Sequence, residues 1–293
     1  MGAGAVEDLL RWGTQRLADA GVASARHDAH ALLLHASGLS RTQLLTLDAA
    51  AEVPGATGYQ ALVDERAARV PLQHLTGKAY FRHLELAVGP GVFTPRPETE
   101  LLAGEAVEHA RRLLSRASTP VVVDLGTGSG AIAAAVATEA RGARVLAVEK
   151  GLDAHAWAAR NVEGTGVELR LGDLADAFAD LDGQVDIVVS NPPYIPPDAV
   201  PVDPEVRDHD PDLALYGGGE DGLDAVRAVE RTARRLLRPG GLLLVEHADT
   251  QGESAPAVLR ATAAWRDVTD LPDLTGRPRY VRAFRLDAAG GTR

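Results

Sequence analysis

The sequence has 293 residues, 45% apolar and 24% charged, an ordinary globular composition with enough length for two domains. It contains no cysteine, which excludes disulfides, thiolate metal sites and a thiol nucleophile together. No apolar run approaches a membrane span and no basic-then-apolar signal pattern opens the chain, and the formal net charge is −11 without a clustered Lys/Arg run. These features predict a soluble, cytoplasmic protein that does not track a nucleic acid backbone.

In chain order, the first 70 residues read as helices. Val6, Leu9, Leu10 and Leu17 share one helical face. Ser24 is placed to cap a second helix through Leu32, Leu33 and Leu34, closed by Gly38. Ser40 and Gln43 have capping-box spacing ahead of Leu44. A fourth helix is predicted from Tyr59 to Val70, stopped by Pro71. His27 and His30 lie one turn apart with no third ligand at useful spacing, so they read as a solvated helix face and no metal is expected.

Residues 81–88 alternate loosely and Gly89-Pro90-Gly91 follows as a turn, which predicts a short β-hairpin joining two domains. Thr94-Pro95-Arg96-Pro97-Glu98-Thr99-Glu100 then opens a helix through Leu101, Leu102 and Val107. From Pro120 strand and helix alternate, as in a parallel sheet covered on both faces. Val121–Val123, Arg144–Val148, Val185–Val189 and Gly241–Val245 read as strands, with a helix over Ala131–Ala140. Arg279–Leu286 reads as a strand with no helix after it, suiting an antiparallel edge, and the Ala/Gly tail after Asp287 as frayed. The chain thus divides into a helical domain over 1–75, a linker with the hairpin over 76–95, and an α/β, Rossmann-like domain over 96–293.

Asp124-Leu125-Gly126-Thr127-Gly128-Ser129-Gly130 follows a strand and opens a helix. The glycines let the backbone turn tightly and come close to a ligand. The spacing is G-x-G-x-G rather than the G-x-G-x-x-G of a pyrophosphate site. An acid at the strand's end would repel pyrophosphate but attract the amino group of an amino acid-type cofactor. Glu149, at the tip of the second strand, is suited to accept both hydroxyls of a ribose. Asp173, after a third strand, could accept from an adenine amino group while Leu174 packs on the ring. Together these strand ends resemble the class I S-adenosylmethionine-dependent methyltransferases, which implies that cofactor, with S-adenosylhomocysteine as product, and no metal.

Ser190-Asn191-Pro192-Pro193-Tyr194 ends the fourth strand beside that crevice. Two prolines restrict the chain and leave carbonyls as acceptors. The Asn191 oxygen and the Pro192 carbonyl can both accept from one NH₂ group, while Tyr194 packs on its plane. An amide nitrogen is a poor nucleophile because its lone pair is delocalised. Two acceptors on its hydrogens would hold it in a near-attack geometry and support developing charge.

Asn-Pro-Pro-Tyr serves both base exocyclic amines and glutamine amides, so further segments matter. Pro95-Arg96-Pro97-Glu98-Thr99-Glu100, the glycine loop, Asn191–Pro196, Ala214-Leu215-Tyr216-Gly217-Gly218, Asp221-Gly222-Leu223, Pro239-Gly240-Gly241, Glu246, Gln251 and Asp273–Arg279 occur in order. Together with Pro71 and Gly77 ahead of Phe81, they resemble the release factor glutamine methyltransferase family, also called HemK or PrmC. The resemblance covers nearly the whole chain and is weakest over the first 65 residues. It implies a seven-stranded catalytic domain, a helical N-terminal domain and methylation of the glutamine in the Gly-Gly-Gln motif of peptide chain release factors. By position it also implies that Asn191, Pro192, Pro193 and Tyr194 hold the glutamine, with Asn191 also facing the cofactor held by Gly126–Gly130 and Glu149, and that Phe93 and Arg96 lie near the site. Three positions depart from the family's pattern: Phe93-Thr94 in place of an aliphatic pair, Asp210 where Glu is common, and His247 where an aliphatic residue is usual. A ribosomal-protein glutamine methyltransferase, an adenine N6 or guanine N2 methyltransferase of nucleic acid, and a non-catalytic adaptor are the competing readings.

Overall fold

The computed structural model describes residues 6–47 and 52–287, so the expected fraying after Asp287 lies outside the described residues. Helices α1 (Val6–Asp19), α2 (Ala25–Ser37), α3 (Arg41–Thr46), α4 (Ala56–Ala67) and α5 (Leu72–Thr76) come first. The hairpin strands β1 (Lys78–Phe81) and β2 (Leu84–Ala87) and helix α6 (Thr99–Leu114) follow. Alternation then begins with β3 (Val121–Leu125), α7 (Ala131–Glu139), β4 (Arg144–Glu149), α8 (Leu152–Val162), β5 (Glu168–Leu171) and β6 (Val185–Ser190). The chain closes with α9 (Pro204–His209), α10 (Asp212–Leu215), α11 (Asp224–Leu236), β7 (Leu237–Glu246), α12 (Ser254–Arg260), β8 (Trp265–Pro272) and β9 (Pro278–Arg285). One compact unit contains the chain up to Lys78 together with Pro201–His209; the other contains Ala79–Val200 and the chain from Asp210 on.

The helical unit is built on Leu17, Leu32, Leu33, Tyr59 and Val63, all fully buried. Gly13 makes room for Tyr59: a Cβ there would sit 1.9 Å from the Tyr59 hydroxyl, which donates to the Leu9 carbonyl. The capping box of Ser40 and Gln43 forms, and α2 closes on left-handed Gly38. Ser24 does not cap: its backbone is not extended, and its hydroxyl donates to the Asp28 carboxylate at 2.8 Å. Helix α4 runs three residues ahead of the expected span at both ends. Arg69, at φ +71°, turns the chain before Pro71 can act as the stop. Arg66 is buried between Asp28 at 2.8 Å and Glu205 of α9 at 2.7 Å.

In the larger unit the hairpin turns at Arg82-His83, not at Gly89–Gly91. Arg82 takes φ +54° and is held by N–H donation to Glu100 Oε1 and a two-point pair with Glu139. Gly89 and Gly91 serve packing instead: a Cβ would meet the Trp157 ring at 2.6 Å and the Asp153 Cβ at 2.7 Å. The seven-stranded sheet has the order β5-β4-β3-β6-β7-β9-β8, with β5 through β7 parallel. Fully buried Val122, Val123, Ile187, Val188, Leu243 and Leu244 fill its two faces, as parallel strands covered on both sides require. The order reverses direction between β3 and β6, which opens a crevice at their C-terminal ends. β9 is antiparallel as expected but is not the edge; β8 lies outside it. That strand escaped the sequence reading because Asp267, at φ +55°, breaks its register and charged residues mask its alternation. Among the described residues no helix is long and apolar enough to cross a membrane.

Candidate active site

Three glycines shape the turn after β3. Gly126, Gly128 and Gly130 have φ of +72°, +57° and +82°, a region that side chains rarely adopt. A Cβ on Gly130 would press on Val162 of α8 at 3.1 Å, whereas one on Gly128 would meet nothing within 4 Å. The third glycine therefore seats a helix, and the second lines open space. Asn161 of α8, which sequence reasoning did not single out, donates to the Ser129 carbonyl at 2.9 Å and ties the turn to β2 through Ala87.

Asp124 lies beneath this turn and is 1% exposed. Its Oδ2 accepts from the Thr127 hydroxyl at 2.5 Å and the Ala133 N–H at 3.1 Å, while its Oδ1 is buried without a partner among the described residues. Burial pushes the carboxyl up to about 7 against the pull of those two donors, with Glu149 adding to the rise. Glu149 reaches across from the tip of β4: Oε2 accepts from Gly128 N at 2.8 Å, and Oε1 from the N–H groups of Lys150 and Gly151. Asp173 is more exposed; it pairs with Lys150 at 2.8 Å, which holds its carboxyl below the usual range, and accepts from Ala175 N. Leu174 sits close enough to meet a Cβ on Gly126 at 3.5 Å.

On the other side of the switch point, Ser190 fixes the end of β6 by donating to the Leu125 carbonyl at 2.6 Å. Asn191 Nδ2 donates to Thr99 Oγ1 at 3.2 Å, and Asn191 Oδ1 accepts no hydrogen bond from the described residues. Pro192 is buried. The following backbone is clamped by a strap from α10 to α11. Tyr194 N and Ile195 N donate to the Leu215 carbonyl, Ile195 bridges Tyr216, and Gln251 Nε2 donates to the Tyr194 carbonyl at 2.9 Å. The strap needs its glycines: a Cβ on Gly217 would stand 2.7 Å from the Pro193 carbonyl, and one on Gly222 would stand 2.4 Å from that of Tyr194. The Tyr194 phenol is raised, by burial first and then by Glu246.

Arg96 lies with its guanidinium 5.1 Å from the Phe93 ring centre and 3.1 Å from Asp210. Two of the three sequence departures, Phe93 and Asp210, thus meet on one arginine. The third, His247, is fully buried, with Nδ1 2.8 Å from the Ala248 carbonyl and Nε2 3.0 Å from Asp270.

Residues 8–77 match the PrmC N-terminal domain model and residues 99–202 the Methyltransferase small domain model. A "Release factor glutamine methyltransferase" of Streptomyces coelicolor is 55% identical over 92% of this chain and 94% of its own. A "4-amino-L-phenylalanine/4-methylamino-L-phenylalanine methyltransferase" of Streptomyces pristinaespiralis is 43% identical over 88% of each chain. Among solved structures, the hMettl16 catalytic domain shares the fold at a TM-score of 0.52 and 15% identity, over 79% of this chain and 84% of that one.

Proposed function

The chain belongs to the release factor glutamine methyltransferase family, and from that premise we propose that it methylates the side-chain amide nitrogen of the glutamine in the Gly-Gly-Gln motif of peptide chain release factors, with S-adenosylmethionine as methyl donor. The observation that carries the reading is the anchoring of Asn191: with Nδ2 engaged by Thr99, Oδ1 is left as an acceptor at the switch point, across from the glycine turn.

The residues present fit the cofactor. Gly128 offers a space that any side chain would fill, and the Asp124 and Glu149 carboxylates stand at adjacent strand tips. Glu149 would hold the ribose hydroxyls through the acceptor capacity left on Oε2, with Asp173 and Leu174 bordering the adenine. Asp124, buried under the turn, would act by shaping Thr127–Gly130 and through its field. When bound, the cofactor supplies an electrophilic methyl group on a sulfonium.

Asn191 Oδ1 and the Pro192 carbonyl would each accept one hydrogen of the glutamine NH₂, turning the nitrogen lone pair toward the cofactor and stabilising the positive charge that develops on it. Pro193 keeps the backbone rigid, Tyr194 covers the amide plane, and Phe93 and Arg96 flank the entry. Fixed acceptors of this kind need no reorganisation as charge develops. The helical domain (1–75) would engage the release factor, joined by the linker with the hairpin (76–95) to the chemistry in 96–293.

Mass spectrometry of a full-length release factor incubated with enzyme and S-adenosylmethionine tests the reading. One methyl group is expected on the Gly-Gly-Gln glutamine, and Asn191→Ala should cut its formation by about 10²-fold, as for loss of a fixed transition-state partner, with cofactor affinity retained. Parallel arms with 4-aminophenylalanine, ribosomal protein, tRNA and DNA complete the assay. Transfer confined to any of those would reject the release factor as substrate.

A further inference from the structure

Glu246 ends β7, the strand beside β6, and is 2% exposed. The parallel register pairs Ser190 with Val245, which brings Asn191 and Glu246 side by side at the strand tips. Thr99 and Asn191 border the Glu246 carboxyl and favour its charge, while Oε2 is buried without a partner among the described residues. Thr99, 4% exposed at the first turn of α6, accepts from Asn191 Nδ2, so its own proton is available to Glu246. A carboxylate accepts only, a hydroxyl both donates and accepts, and an amide NH₂ donates only. With Glu246 ionised, this chain has one self-consistent arrangement, in which Nδ2 is turned inward and Oδ1 is left facing the other way. With Glu246 protonated, the carboxyl can donate to Thr99, and the amide is free to rotate.

We propose that Glu246 and Thr99 are positioning residues that fix the orientation of the Asn191 amide, and that loss of the Glu246 charge releases it. The inference rests on the glutamine reading above and adds to it the device that presents Oδ1 to the acceptor. Burial is the main influence on Glu246 and pushes its carboxyl up to about 7; Thr99, Arg279 on β9 and Asn191 favour the charge, and Glu98 ahead of α6 opposes it. Tyr194 also faces this group. His247, next in the chain, bonds instead to Ala248 and Asp270. The orientation is therefore set to change near neutral pH.

The test uses the full chain with Glu246→Gln, Thr99→Val and Thr99→Ser. The Asn191 side-chain NH₂ resonance is assigned by its loss in Asn191→Ala and followed from pH 6 to pH 8.5. In the wild type it should titrate near pH 7; in Glu246→Gln it should not. On a release factor, Glu246→Gln and Thr99→Val should lower kcat by roughly 10-fold or more, in keeping with the cost of misplacing a positioned group. KM and cofactor affinity should stay within about twofold on the same grounds, and Thr99→Ser should restore kcat because it keeps the hydroxyl. Asp124 titrates in the same range, so the pH–rate limb narrows in Glu246→Gln rather than vanishing, and the Asn191 resonance separates the two groups. An Asn191 signal that titrates identically in wild type and Glu246→Gln overturns the inference whether or not the release factor is the substrate. A wild type that leaves release factor unmethylated while that signal behaves as stated overturns the substrate reading alone.

Discussion

Replacing Asp124 by Asn should stabilise the ligand-free protein more at pH 8 than at pH 6, although it removes an acid from the cofactor site. The structure holds Asp124 at 1% exposure with Oδ1 unpartnered, and burial raises the carboxyl from the usual 3.8 to about 7. The folded state therefore binds this proton more tightly than the unfolded chain. That contribution to stability is complete below about pH 3.8 and is lost as pH rises through about 7. With 1.36 kcal/mol per unit, placing this group in the fold costs ~3 kcal/mol at pH 6, where it must take up a proton, and ~4 kcal/mol at pH 8, where it stays mostly ionised. Asn cannot ionise and escapes both costs, but it places an NH₂ where Oδ1 had no partner, a fixed penalty of about 1–3 kcal/mol at either pH. The fixed penalty cancels in the comparison. The gain of Asp124→Asn over wild type should exceed its pH 6 value at pH 8 by ~1.4 kcal/mol, a tenfold change in the unfolding constant. Urea unfolding at the two pH values measures this directly. Calorimetry should also show weaker S-adenosylmethionine binding, because the charge that held Thr127 and Ala133 is gone. A gain that is the same at both pH values would refute the reasoning.

Two other substitutions probe the frame around the site. Gly217→Ala should reduce methyl transfer by an order of magnitude or more, because a Cβ would stand 1.9 Å from the Gly222 carbonyl and 2.7 Å from that of Pro193 and would push the strap off the acceptor loop; kinetics with an unchanged kcat would show that the strap does not position the acceptor loop. Arg66→Ala should destabilise the helical unit by about 3–5 kcal/mol, because Asp28 would keep a buried charge without its partner while Glu205 retained Arg69; thermal unfolding with Tm unmoved would contradict that cost.

What the sequence revealed follows from what is local in the chain. The glycine turn after β3, the acid at the tip of β4 and Asn191–Tyr194 after β6 are each a strand end with its own loop, so residue order and alternation suffice to place them at one edge. The parts that orient those groups are not local. Thr99 meets Asn191 across 92 positions and Gln251 meets Tyr194 across 57, and Asn161 of α8 meets Ser129 across 32. Each is a polar residue on an ordinary helix or turn, and nothing in its neighbours marks its partner. The misplaced hairpin turn has a related cause. Gly89-Pro90-Gly91 carries turn chemistry, but its glycines are spent on close contact with α8, while the reversal at Arg82 is imposed by Glu100 and Glu139 from elsewhere in the chain. β8 was hidden by its own charged residues.

The placement of acids bears on the substrate class. Asp124 ends at β3, Glu149 at β4 and Glu246 at β7, so three carboxylates gather at the C-terminal tips of the sheet around the switch point. Burial pushes two of them up to about 7, and a positive charge placed beside either would lower that value and favour the ionised form. A sulfonium nucleoside brings that charge, and a neutral amide entering beside it adds none of its own. A polyphosphate chain would have to bring its charges past the same three groups, within a protein whose net charge is −11. The cations around these groups do not offset this, because Lys150 is paired with Asp173, Arg96 with Asp210 and Arg279 with Asp273. The electrostatics of the crevice therefore favour a cationic donor and an uncharged acceptor, the combination that a glutamine side chain completes.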